Sequence, residues 1–169
     1  MQDADLFMEL AAIAGVFVGF GALLAVRSGG ASDAFEVGWM RGVVSIGLVA
    51  VFAALAPVVI SRYGITEHEV WALSSVMFLV GFSGVFAIIN LSPEARMAED
   101  PIPRGMKVVR FAVWLPSMIV LFLSPILIAL GVAPVPEEAL YFTLVALALF
   151  WSAISLLMLV FTGRRPASA

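Results

Sequence analysis

The chain has 169 residues and a net charge of -3; 63% of the residues are hydrophobic and 12% charged, which is too apolar for the surface of a soluble globular domain. Cysteine is absent, so there is no disulfide framework, thiolate metal site or redox motif. The net charge says little by itself, because in a membrane protein the useful quantity is which face carries which sign.

Five apolar stretches, at 6–26, 43–60, 70–91, 111–132 and 139–162, each come close to the ~20 residues that a ~30 Å hydrocarbon core requires. The first follows Asp3 and Asp5 and precedes Arg27; its acidic start and its length predict a retained span, not a cleaved signal peptide. It carries Ala11, Gly15 and Gly19, a small-residue face that lets helices approach closely in lipid, and Glu9 about a turn inside its boundary. Asp33 and Glu36 form a candidate capping box before the second span, where Gly38 and Gly42 repeat the small-residue spacing and Pro57 lies near the far end. Thr66 and Glu69 repeat the box at the start of the third span, after a turn around Tyr63 and Gly64. Ser83 and Asn90, seven apart, share a face of that span, and Ser92-Pro93 predicts a short helix ended by Pro101 and Pro103. The fourth span contains Pro116 and Pro125, and Ser117 and Ser124 share one of its faces; Pro136 opens the fifth helix and Gly163 closes it. Trp39, Tyr63, Trp71 and Tyr141 are placed as interfacial anchors, with Trp114 and Trp151 deeper.

With five spans the termini lie on opposite sides. Eight of the nine basic residues, Arg27, Arg41, Arg96, Arg104, Lys107, Arg110, Arg164 and Arg165, then share one face and leave Arg62 across from them. The positive-inside rule makes that face cytoplasmic, with the amino terminus outside, in what reads as the plasma (inner) membrane of a prokaryote. The opposite face gathers Asp3, Asp5, Glu9, Glu67, Glu69, Glu137 and Glu138. The connections are too short to hold a second core, so residues 1–169 form one transmembrane domain.

The fold class expected is an all-α integral membrane bundle of five transmembrane helices. A repeat at an offset of roughly 69 residues offers a finer reading, one helix plus two duplicated helical hairpins. Arg41, Pro57, Gly64, Glu69, Trp71 and Phe82-Ser83 resemble Arg110, Pro125, Gly131, Glu138, Tyr141 and Trp151-Ser152, although two apolar hairpins also resemble each other by composition alone.

No enzyme signature is present, so no catalytic residue, metal site or cofactor is expected. Glu67, His68 and Glu69 are ligand types at consecutive helical positions that point apart, and they read as a capped helix start with a solvated histidine. The spans contain no histidine to hold haem, and no nucleic-acid partner is expected. The partners expected are the lipid bilayer and either further copies of the chain or another membrane protein. Two function classes follow. The first is an oligomeric passive cation pathway, with a mouth of Glu9, Glu67, Glu69, Glu137 and Glu138 and a lining of Ser83, Asn90, Ser117 and Ser124. The alternative is a non-catalytic accessory or scaffold subunit, whose helices pack a partner membrane protein and whose loop from Ser92 to Arg110 docks it inside; the same hydroxyls then make interhelical bonds, and the small residues Ala11, Gly15, Gly19, Gly38 and Gly42 form the helix-packing interface.

Overall fold

The computed structural model describes residues 4–27, 34–91 and 104–162, with side chains at 4–24, 40–91 and 112–157. Among these are five long helices and no strand: α1 (Ala4–Arg27), α2 (Ala34–Ile60), α3 (Glu67–Leu91), α4 (Arg104–Ala129) and α5 (Glu137–Thr162), with a 3-10 turn at Ser61–Tyr63. Each helix contains a segment long and apolar enough to cross a membrane, consistent with an integral membrane protein. Helices meet the demand of lipid because they pair every interior amide and carbonyl within the segment. The short helix expected after Ser92 lies outside the described residues, as do Asp3, Asp33, Arg96, Gly163, Arg164 and Arg165.

Three of the helix boundaries differ for physical reasons from the apolar spans given by the sequence. Helices α2 and α4 start well before Val43 and Phe111, because helical hydrogen bonding continues through sequence too polar for hydrocarbon. Helix α4 ends at Ala129, short of Val132, because Gly131 adopts a left-handed φ of 67°. There Gly131 N–H donates to Ile128 O and Val132 N–H to Leu127 O, both at 3.0 Å, the two bonds of a Schellman stop. Gly64, at φ 71°, turns the chain in the same way between α2 and α3.

Helices α2, α3, α4 and α5 form a ring in that order, closed by α2 against α5, and α1 lies in the groove between α2 and α5. The contacts fix the directions. Gly21 of α1 meets Val43 of α2 while Val18 meets Gly47, so α1 and α2 run antiparallel; Phe82 meets Phe122 and Phe86 meets Trp114, so α3 and α4 do too. The α2–α3 and α4–α5 turns and the start of α1 therefore share one end, here called the acidic end.

The interior is packed with rings. Near the acidic end Phe7, Trp71 and Tyr141 form a fully buried triangle with centroids 5.6 to 6.1 Å apart. Farther along, Phe78 stacks on Phe82, which meets Phe122 edge-on at 5.5 Å, and Phe122 meets Phe86 at 5.8 Å.

The two hairpins match in buried register. Buried α3 positions Trp71, Ser74, Ser75, Phe78 and Phe82 correspond, seventy residues on, to buried α5 positions Tyr141, Leu144, Val145, Ala148 and Ser152. Ala53, Ala56 and Pro57 of α2 correspond to Leu121, Ser124 and Pro125 of α4, all buried. Exchanging α2 with α4 and α3 with α5 maps the ring of contacts onto itself, and α1 is the element without a counterpart.

Candidate functional site

The acidic end is built from two helix starts. Thr66 caps α3: its carbonyl accepts from Val70 N–H at 3.1 Å, its hydroxyl from Glu69 N–H at 3.4 Å, and Glu69 Oε2 accepts from the Thr66 amide at 2.8 Å and hydroxyl at 2.9 Å. This is the reciprocal box expected from the Thr66-Glu69 spacing. Pro136 opens α5, its carbonyl accepting from Leu140 N–H at 3.1 Å. Across the two starts, His68 Nδ1 lies 2.8 Å from Glu137 Oε1, and the His68 ring lies against Gly131. His68, expected to be solvated, is half-exposed and tied to the second hairpin.

The fold thus brings Glu67, Glu69, Glu137 and Glu138 to one end, and they are not equivalent. Glu69 is engaged by Thr66, Glu137 by His68, and Glu138 is half-buried and also engaged. Glu67 is exposed, and Glu9 lies on the exposed side of α1, more than a turn into the helix. Among the described residues no group of three or more ligating side chains could hold a metal ion.

The hydroxyl positions do not form one line. Ser117 and Ser124 lie on the buried face of α4 beside Leu121 and Ile128, and the Ser117 hydroxyl returns its proton to Val113 O at 2.7 Å, one turn back. Ser83 is half-buried, whereas Asn90 is exposed and donates to Phe86 O at 2.7 Å on its own helix. Among the serines, Ser152 of α5 bridges helices, donating to Val43 O of α2 at 3.1 Å.

The small residues divide as well. Ala11 is buried, and Gly42 faces Ser155, 3.6 Å from where a Cβ would stand. Gly15 and Gly19 are exposed, with nothing within 4 Å of their Cβ positions, so neither faces another helix among the described residues. Gly38 lies in α2, outside the residues whose side chains are described. Close approach of α1 to α2 instead uses Gly21 and Gly47, whose added Cβ atoms would stand 2.8 Å from Val43 and 2.7 Å from Val18. The signal for this in the sequence is the run Gly47, Ala50, Ala54, with Ala14 and Gly21 seven apart on the partner helix.

The bond between Tyr141 and Ala53 was not foreseen. Tyr141 and Trp71, expected at the interface, are buried in the bundle because both start helices whose inward face begins within the first turn. Tyr141 Oη donates to Ala53 O at 2.8 Å and lies 3.4 Å from Ser74 O. Pro57 supplies the reason. It has no amide, so the carbonyl one turn earlier, that of Ala53, lacks its helical donor and needs another.

No protein-family model, curated protein or solved structure matches this chain. Its chemistry therefore has to be read from its own side chains. These offer carboxylates at one end, a ring-filled interior and an apolar exterior.

Proposed function

We propose that the chain is a non-catalytic accessory or scaffold subunit of a membrane protein complex, holding a partner through its helices. The observation that carries this reading is the filled interior. Phe7, Trp71 and Tyr141 close the bundle near the acidic end, and Phe78, Phe82 and Phe122 continue the packing beyond them. On α3 the Ser74 and Ser75 hydroxyls are buried with no hydrogen-bond partner among the described residues; those of Ser117, Ser152 and Ser155 on α4 and α5 donate to carbonyls of their own or the neighbouring helix. Such groups specify how helices pack and offer an ion no continuous polar route.

A second reading, a cation pathway between copies of the chain, is favoured by the exposed Glu67 and Glu9 and by the open face at Gly15 and Gly19, where a helix of another copy could approach. Purification from the native membrane in mild detergent separates the two. The accessory reading expects a stoichiometric complex with a different membrane protein. A closed homo-oligomer with no other component would contradict it and favour the pathway.

A further inference from the structure

Helix α1 fills the groove between α2 and α5. Exchange of the two hairpins maps that groove onto the one between α4 and α3, which no helix among the described residues occupies. The second groove is not an equal seat. Gly47, where α1 closes in through Val18, corresponds to Leu115, and the rings of Phe82, Phe86, Phe122 and Trp114 meet between α3 and α4 away from the acidic end. What stays open is the stretch at the acidic end. There Phe142, edge-on to Phe7 at 6.0 Å in the α1 seat, corresponds to Ala72, and Ile65, Glu69, Ala72, Leu73, Val76 and Ala129 line an open groove of about 370 Å³.

We propose that this groove binds an acyl chain of a phospholipid with a primary-amine headgroup, whose ammonium rests on Glu69. Apart from Glu69 the walls are apolar and open to the outside of the bundle, and they run only from Glu69 to Val76 along α3, about two turns, which is too short to seat a spanning helix. Glu69 stands at the lip. Both Thr66 bonds fall on its Oε2, leaving Oε1 as an acceptor. A primary ammonium can donate hydrogen bonds to that oxygen, whereas a quaternary ammonium has none to give. Exposed Arg62, three residues before Ile65 in the chain, is a cation at the same end of the bundle as the phosphate of such a lipid, and exposed Glu67, two residues before Glu69, disfavours a headgroup of net negative charge.

Native mass spectrometry of the full chain released from nanodiscs holding equal parts phosphatidylethanolamine, phosphatidylcholine and phosphatidylglycerol tests the proposal. The ethanolamine lipid should be retained several-fold over each of the others. Ala72→Phe, which fills the groove, and Glu69→Gln, which keeps the Thr66 bonds without the charge, should each remove the preference, while Ala12→Phe on the exposed face of α1 should keep it. Equal retention of the three lipids, or a preference that persists in Glu69→Gln or in folded Ala72→Phe, overturns the proposal. So does a dimer that Ala72→Phe dissolves without change in lipid retention, which would give the groove to a second copy.

Discussion

Pro57 leaves the Ala53 carbonyl without its helical donor, and a buried, unpaired carbonyl costs about 1–3 kcal/mol. The Tyr141 hydroxyl supplies the missing donor at 2.8 Å from a helix 88 residues away. Tyr141→Phe should therefore lower unfolding stability by about 1–3 kcal/mol, and most of that loss should vanish in a Pro57→Ala background, where residue 57 regains an amide. A double-mutant cycle read by denaturation in detergent checks the coupling; equal losses in both backgrounds would refute it. At the acidic end Thr66→Ala should cost about 0.5–2 kcal/mol by removing the cap of α3, and Thr66→Ser should restore most of it. Thermal unfolding of the three proteins distinguishes a cap from a mere surface hydroxyl.

At the scale of the helix, packing depends on which glycines meet a neighbour. Gly47→Leu should unfold or strongly destabilise the chain, because Val18 already lies 2.7 Å from where even a Cβ would stand and excess volume in a packed core costs about 1–3 kcal/mol or more. Gly15→Leu and Gly19→Leu should leave thermal stability of the isolated chain close to wild type, and any effect should appear only in assembly mass. Destabilisation of the monomer by either would contradict this placement. The existence of all five helices was legible because a span must be almost wholly apolar, and the Thr66-Glu69 cap because both donors lie within one turn. The inward direction of each helix was not. In lipid both faces are apolar, so the periodicity that marks a buried face in a soluble protein is nearly erased, and Gly15 and Gly47 look alike until their neighbours are known. Tyr141 was misplaced, and the pairing of the exposed His68 with Glu137 went unread, for a related reason: the partners, Ala53 and Glu137, lie 88 and 69 residues away in the chain.

The described residues form a ring of two matched hairpins with α1 laid against one side, acidic at one end and ring-filled within. Five spans would put the termini on opposite sides of a membrane. Reporter fusions should find an outside amino terminus and a cytoplasmic carboxyl terminus, and both reporters on one side would refute the span count. On the accessory reading the filled interior leaves no cation pathway through the chain. Cation flux through sealed liposomes containing the folded, purified chain tests it most directly, at low ionic strength, where screening of Glu67 and its neighbours is weakest. The accessory reading predicts flux no greater than that of protein-free vesicles. Flux that scales with protein and falls when Glu67, Glu69, Glu137 and Glu138 are changed together to Gln would contradict it and make the chain a pore.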